Sequence, residues 1–335
     1  IVADSWGTAH VAYCYSIGAL VVHKFDVDNS RLTATYTDVD PYLADYFATY
    51  FHYNMYQYKE SELRGENARR SMQMLNWDIW SVEGDSYPDI LQAVKLYDGV
   101  EGEIWTGKKA AAYAGGTGTQ DDPYIIKTAE QLYKMVMDNA DPAYYRLEAD
   151  IYLNDVSDEE WFAKPGLNLW GINVGTGFKG YFDGNYHTVS GLYYDSQAQG
   201  NWVSVALIPY VASGAVIEKV GVVDVYINLN PTTANYAGSI VGTVKANSSD
   251  IRVSECFGDT SVEITSMIAG GIAGAVGTGG RVQLENCMFV GSLSGDDANT
   301  GVMIGQLLSE GSSITNCFGT TPQNSRFVSG DYGRN

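Results

Sequence analysis

Short apolar runs recur along the chain at a nearly constant interval. Each run is a few residues long, is rich in β-branched side chains or Cys, and is followed by Gly, Asn, Asp or Ser. Runs of this length and composition predict strands and turns rather than helices. Four of them share an aliphatic-x-x-Val/Cys core, at residues 217–221, 253–258, 284–289 and 314–319.

The interval between these cores is that of a solenoid. Their fourth positions are Val220, Cys256, Cys287 and Cys317, which are 36, 31 and 30 residues apart. A repeat this short cannot enclose a core by itself, so successive repeats must stack, as strands do at roughly 4.8 Å. We therefore expect an all-β chain with minor α, folded as a parallel β-helix whose end coils each need a cap or a neighbour.

The two ends of the chain resemble consecutive coils. Residues 11–15 repeat the core, and counting from Cys317 through residue 335 and on from residue 1 to Cys14 gives 32 residues. We therefore expect the last coil to continue into the first coil of another copy. The predicted assembly seam consists of Ile1, Val2, Val11, Cys14, Ile17, Ile304, Ile314, Cys317 and Phe318.

Two segments predict helices. Leu63, Met72 and Leu75 have helical spacing within residues 60–76, and an aromatic plug with Trp80 follows. Thr128 and Gln131 have the spacing of a capping box, which predicts a helix to about residue 137. The predicted organisation is final coils, helix and plug at 1–92, a linker at 93–115, and an opening cap helix with main coils at 116–335, continued by residues 1–92 of a neighbouring copy.

Residues 116–132 and 178–192 resemble the opening of bacterial surface modules that carry GLUG repeats. The repeats themselves match at residues 237–242, 269–274 and 301–305, and residues 63–88 are similar to the closing segment of such modules. The resemblance implies a right-handed parallel β-helix, secreted or attached to the cell surface, in adhesive or structural proteins without a defined catalytic activity.

The order of these parts is permuted, because the closing segment precedes the opening one. Either the chain is one period of a tandem array, or it is a subunit whose first coils complete a neighbouring copy. Both explanations predict a structural subunit of an extracellular filament or surface stalk, assembled head to tail, with other copies of the chain as partners.

Charge and hydropathy narrow the range of partners. The chain carries 40 acidic and 20 basic residues, a net charge of −20, which repels nucleic acids and anionic lipids. No run of 18 apolar residues is present, so we expect no membrane span. The first residues lack the basic head of a signal peptide, so a targeting segment was removed or lies outside this stretch.

The tyrosines suggest an alternative function, that of a carbohydrate-binding adhesin with polysaccharide as a partner. The chain has 25 tyrosines. Packing within the solenoid is the commoner role for such residues, but Tyr is also well suited to contact sugars. The candidate ligand aromatics are Tyr42, Tyr46, Tyr50 and Tyr53.

A polysaccharide lyase or hydrolase is a second alternative, because β-helices also host such enzymes. The acidic clusters at 121–122, 158–160 and 296–297 lie in turn-like contexts and do not recur at coil spacing. The histidines are scattered without metal-ligand spacing, and Gly242, Gly274 and Gly305 lack the Lys-Ser/Thr of a phosphate loop. We expect no catalytic residues, no metal and no cofactor.

Three local predictions concern Cys and Gly. Stacked cysteines have parallel Cβ vectors that fit a disulfide poorly, so we expect a ladder of reduced, buried thiols. The repeated glycines are expected between strands, where the backbones of successive coils approach closely. Gly184 is expected to supply the positive φ of a turn before His187, whose role is expected to be structural.

Overall fold

The structure is a computed structural model that describes the chain in segments. The described residues are 2–5, 9–12, 15–17, 31–33, 35–37, 55–57, 63–72, 75, 77–78, 80–82, 84–86, 88–90, 103–138, 142–157, 160–163, 176–196, 203–230, 235–295, 299–309 and 311–320, with only strand backbone before residue 63.

In chain order, the strands of the N-terminal part are β1 (Val2–Ser5), β2 (Ala9–Ala12), β3 (Tyr15–Ile17), β4 (Arg31–Thr33), β5 (Thr35–Thr37), β6 (Met55–Gln57), β7 (Trp80–Ser81) and β8 (Asp89–Ile90). They are followed by β9 (Tyr124–Ile126), β10 (Tyr144–Leu147) and β11 (Ile151–Tyr152). The helices are α1 (Gly65–Ser71) and α2 (Ala129–Met137), with a 3-10 turn at Trp161–Ala163.

Four coils of four strands each make up the main body within the described residues. The first is β12 (Tyr181–Ser190), β13 (Tyr193–Ser196), β14 (Ser204–Val205) and β15 (Ile208–Val211). The second is β16 (Val216–Val223), β17 (Tyr226–Leu229), β18 (Tyr236–Ala237) and β19 (Val241–Val244). The third is β20 (Ile251–Ser254), β21 (Phe257–Thr265), β22 (Ile268–Gly270) and β23 (Ala273–Val276). The fourth is β24 (Val282–Glu285), β25 (Met288–Ser294), β26 (Thr300–Gly301) and β27 (Ile304–Leu307), after which come β28 (Ser312–Thr315) and β29 (Phe318–Thr320).

Equivalent strands of successive coils pair in parallel. The register joins Ile208 to Val241, Val241 to Ala273 and Ala273 to Ile304, steps of 33, 32 and 31 residues. One sheet is therefore β15, β19, β23 and β27 with β1 beyond it, and a second is β14, β18, β22 and β26. The predicted all-β parallel solenoid with minor α is confirmed, with about four turns.

The core is a set of aliphatic ladders inside the coils. Ile217, Val253, Leu284 and Ile314 occupy one register position in successive coils, and each is at most 1% exposed. In β24 burial alternates strictly, because neighbouring side chains point to opposite faces of the strand. The continuous core explains why one coil cannot fold without the next.

The repeated glycines mark close contact between coils, as predicted, but not between strands. Gly242, Gly274 and Gly305 lie within β19, β23 and β27. A Cβ on Gly274 would lie 2.5 Å from the carbonyl oxygen of Gly242 and 2.8 Å from that of Ala237. Both are backbone atoms held in sheets, so a side chain at this position has no room.

Gly184 does not have the positive φ that the sequence predicted for it. The positive φ values before His187 belong to Asn185 and Tyr186, at 50° and 61°, within a register shift of β12. Gly184 is required for another reason, because a Cβ there would lie 2.3 Å from the carbonyl oxygen of Lys219. The chain bends at this point on Asn185, a residue type that tolerates the left-handed conformation.

Helix α2 lies at the first end of the solenoid. Its Leu132, Met135 and Val136 are buried in the same core as the coils. Residues 103–116, which overlap the predicted linker, also lie along this end, because Ile104 pairs with Tyr152 and Gly115 pairs with Ile125. The first edge of the solenoid is thus covered.

The predicted capping box of α2 forms only in part. Thr128 is the N-cap residue, but its side chain makes no cap hydrogen bond. The Gln131 Oε1 accepts a hydrogen bond from the Lys127 backbone N–H at 2.8 Å, one residue before the expected donor.

Helix α1 is shorter than the predicted helix. Leu63, Met72 and Leu75 lie outside its seven residues, yet all three are at most 3% exposed. The helix starts at Gly65, whose φ of 56° bars an earlier regular turn. The periodicity therefore identified the buried side chains correctly and overestimated the helix length.

We expect Gly274→Ala to lower the free energy of unfolding by about 1–3 kcal/mol, because the new methyl group meets fixed backbone. Gly115→Ala is the matched control, since its Cβ would meet only the Ile125 side chain, at 3.7 Å. Urea unfolding of both variants measures the difference, and equal stabilities would contradict the close contact at Gly274.

Candidate functional site

The described strands from the two ends of the chain lie next to each other in the solenoid. Strand β1 pairs with β27 through Val2 and Ile304, and β2 pairs with β28 through Val11 and Ile314. Strands β28, β29 and β1 therefore lie at the same level, one step beyond the fourth coil. We call residues 312–320 and 2–5 together the junction coil.

Further strands continue the stack beyond the junction coil. Strands β2 and β3 form the next level, β4 and β5 pair with them, and β6 pairs with β5. The N-terminal segment thus follows residue 320 in space, as the repeat spacing predicts. These pairings are made within a single chain, whereas the sequence prediction assigned the continuing strands to another copy.

The predicted seam residues fall into two groups. Val2, Val11 and Ile17 lie in strands, where Val2 pairs with Ile304, Val11 with Ile314 and Ile17 with Thr320. The side chains of the C-terminal seam residues Ile304, Ile314, Cys317 and Phe318 are fully buried. The predicted residues outside the described part of the chain are Ile1, Cys14, Tyr42, Tyr46, Tyr50 and Tyr53.

An aromatic contact connects the junction coil to the predicted plug. The Trp80 ring lies 6.1 Å from the Phe318 ring, centroid to centroid, at an interplanar angle of 68°. Both side chains are 0% exposed. Edge-to-face pairs of this kind add to the hydrophobic gain of burial, so the segment around Trp80 stabilises the junction coil.

The described cysteines form the predicted ladder of reduced thiols. Cys256, Cys287 and Cys317 are free and buried. Each Sγ donates to the backbone carbonyl two residues earlier at 3.3–3.4 Å, and the Sγ of Cys287 also lies 3.5 Å from the Val253 carbonyl in the preceding coil. Burial raises the pKa of the Cys256 thiol, so this sulfur acts as a weak donor rather than a nucleophile.

Sequence reasoning missed a charged cluster on the outside of the first three coils. The carboxylate of Glu218 accepts hydrogen bonds from Tyr181 Oη at 2.5 Å, Lys219 Nζ at 2.8 Å and Arg252 Nη2 at 2.9 Å. The Glu218 side chain is only 7% exposed. Burial opposes ionisation, but the bonds from Lys219 and Tyr181 and the charge of Arg252 outweigh it and lower the pKa of Glu218.

A second carboxylate, from the third coil, joins the cluster. Tyr186 Oη donates to Glu255 Oε2 at 2.7 Å, and the Lys219 ammonium lies 5.9 Å from the Tyr186 ring. Chemically, the cluster holds an ionised acceptor among fixed donors, so it couples three coils electrostatically. Its members are about one coil length apart in sequence, and only alignment of the repeats could have brought them together.

His187 takes part in a further link between strands. Its Nδ1 lies 3.1 Å from Asp150 Oδ1, which also accepts the Thr188 backbone N–H at 2.9 Å. Burial disfavours the Asp150 carboxylate, yet these bonds lower its pKa overall. Within the described residues, no group of three or more His, Cys, Asp or Glu side chains is arranged to hold a metal ion.

The parallel coils define the class of this protein as a β-solenoid. No protein-family profile matches the chain. A 138-residue segment, 41% of this chain, is 25% identical to a protein of Evansella cellulosilytica provisionally named Gly-rich membrane protein, and it spans 15% of that relative. A 194-residue alignment to Halomucin of Haloquadratum walsbyi has 26% identity and covers 50% of this chain and 2% of the relative.

Among solved structures, a Bacteroides ovatus protein provisionally described as an immunoglobulin A1 protease aligns with a TM-score of 0.31. The identity is 18%, over 63% of this chain and 87% of that one. The chain thus spans at most 15% of the length of the two curated relatives. In the described part of the chain, neither helix has the length and apolar character needed to cross a bilayer.

We expect Glu218→Gln to lower the free energy of unfolding at pH 7 by about 1.5–3 kcal/mol, because charge-assisted bonds are lost. The folded pKa lies below the unfolded value of about 4.3, so this stability is present above that pH and is lost as the pH falls through the folded pKa. The difference between wild type and variant should therefore shrink in acid. Urea unfolding between neutral and acidic pH tests this.

Glu285→Gln is the control for the charged cluster. Glu285 occupies the same ladder position as Glu218, two coils further on, but its side chain is exposed. The control should lower the free energy of unfolding at pH 7 by less than Glu218→Gln does, because no buried carboxylate is removed. A Glu218→Gln profile parallel to that of the wild type would show that the cluster contributes no linked protons.

The thiol ladder predicts slow chemical modification. In a Cys14→Ser chain, we expect a thiol-specific reagent to leave Cys256, Cys287 and Cys317 unmodified in the native state and to modify all three in denaturant. Intact mass spectrometry counts the adducts. A native mass lower by two hydrogens than that of the reduced chain would reveal a disulfide and contradict the ladder.

Proposed function

We propose that this chain is a structural module of an extracellular or cell-surface protein, extended head to tail through the junction coil. The observation that carries the proposal is the parallel pairing of β1, β2 and β3 with β27, β28 and β29. The β-solenoid fold and the names of the two curated relatives are compatible with a surface module.

The physical reason for head-to-tail growth is the open edge of a coil. Without β2 and β3, the outer edges of β28 and β29 would expose backbone N–H and C=O groups, and such edges pair readily with other strands. A contact between different surfaces of two copies does not close on itself but continues, which gives a filament or stalk.

The segment from Ile90 to Glu103, called the tether below, determines whether the pairing stays within one chain. Trp80 pairs with Ile90 and contacts Phe318, while Ile104 lies at the opposite end of the stack, beside Tyr152. Six coil steps separate the two levels, about 29 Å at the usual strand spacing. The 13 peptide units from Ile90 to Glu103 reach at most about 43–47 Å.

The tether is therefore long enough for the pairing to form within one chain. Because both strand edges belong to the same chain, each is present at a high effective concentration near the other. Pairing between copies makes the same backbone hydrogen bonds, so concentration and tether length select between the two. In a tandem array, the neighbouring strands would come from the adjoining repeat of the same polypeptide. Pairing within one chain, between separate copies and between repeats of a tandem array would all form the same junction coil.

We expect deletion of residues 95–100 to convert the chain into open-ended oligomers. The remaining seven peptide units between Ile90 and Glu103 reach only about 23–25 Å, which is less than the distance that closure within one chain requires. Light scattering after size exclusion gives the mass, and electron microscopy shows whether filaments form.

The control replaces the same six residues with a flexible Gly/Ser hexapeptide of equal length, which should leave the oligomeric state of the wild type unchanged. Circular dichroism verifies that each variant is folded. A shortened chain that is folded and monomeric at all concentrations would overturn the proposal that the junction can form between copies.

A further inference from the structure

An aromatic groove lies at the first end of the solenoid, away from the junction coil. It has a volume of about 480 Å³ and is lined by Tyr113, Tyr124, Lys134, Asp138 and Tyr145, with small residues between them. The volume falls within the range of small-molecule sites, about 300–1,000 Å³.

The aromatic wall of the groove is built on the core. The rings of Tyr113 and Tyr124 stack with centroids 4.4 Å apart, and each lies 5.7 Å from the ring of Tyr145. Tyr145 is 5% exposed and packs 6.0 Å from Phe178. Because this support fixes the rings, a ligand would bind without much loss of side-chain freedom.

Polar groups lie beside the aromatic rings. Lys134 Nζ is 2.7 Å from Asp138 Oδ2 and 5.4 Å from the centre of the Tyr113 ring, and Lys109 Nζ is 2.6 Å from Asp138 Oδ1. Burial opposes ionisation of Asp138, but the two lysines outweigh it and lower its pKa. The groove thus presents an ionised acceptor next to an ammonium donor.

The ligand class follows from this combination. Within the lining, Lys134 and Asp138 carry opposite charges, so the lining residues themselves favour neither an anion nor a cation. Lys109, which bonds the other Asp138 oxygen, adds one ammonium beside the groove, and the charged probe below tests its effect. Tyrosine rings offer a flat apolar surface with low conformational cost, and the carboxylate and ammonium bond hydroxyl groups strongly. We propose that the groove binds a neutral pyranose unit, with an apolar sugar face on the tyrosine wall and hydroxyls on Asp138 and Lys134.

Saturation-transfer NMR of the full chain with the methyl glycosides of glucose, galactose and mannose tests the proposal, with methyl glucuronide as the charged probe. We expect saturable binding of at least one neutral glycoside and weaker binding of the glucuronide. Asp138→Asn should weaken the neutral interaction at least tenfold, and Tyr113→Ala should abolish it.

Tyr226→Ala is the matched control, because it removes a ring that pairs with Tyr193, outside the groove. Circular dichroism establishes whether each variant is folded. If Tyr113→Ala does not fold, glycoside binding by Asp138→Asn tests the proposal. Absence of neutral glycoside binding to the folded wild type, preferred binding of the glucuronide, or unchanged binding by folded groove variants would each overturn the proposal. None of these results depends on the oligomeric state.

Discussion

The parallel hydrogen-bond ladder between coils is the interaction on which the rest of this molecule depends. A coil encloses too little apolar volume to be stable alone, and each of its edges carries unpaired backbone groups. Stacking solves both problems at once, since it pairs the edges and aligns Ile217, Val253, Leu284 and Ile314 into one buried row. The same requirement explains the cap formed by α2 and residues 103–116 at the first end.

Close stacking dictates side-chain size as well as polarity. Where coils approach, only Gly fits, as at Gly242 and Gly274. Elsewhere in the stack, small thiols are buried at Cys256, Cys287 and Cys317. On the outside, the burial of Glu218 is tolerated because donors from three different coils surround it. Apolar packing inside the coils and charged hydrogen bonds on their outside therefore stabilise the same stack.

Much of this fold was predictable because coil stacking imposes a one-dimensional repeat on the sequence. The spacing of Cys256, Cys287 and Cys317 predicted register and buried thiols. The count through the chain ends predicted that the first strands continue the stack, but it assigned them to another copy, whereas Val2 pairs with Ile304 of the same chain. Contacts between coils were harder to predict, since Glu218 and Arg252 meet only after folding. The bend at Asn185 was misread because a close contact and a positive φ both favour Gly. The GLUG resemblance, the permuted order of its parts and the ligand-binding role of the tyrosines before residue 54 remain predictions.

The junction coil also has a consequence for biosynthesis. Val2 and Ile304 are paired, yet nearly the whole chain is translated between them, so β1 to β3 emerge long before the strands that receive them. Such distant pairings form late and slowly, since the chain must close a very long loop first. Unpaired strands exposed in the meantime are prone to wrong associations. A cell making this protein must therefore keep β1 to β3 from pairing wrongly until β27 to β29 have been synthesised.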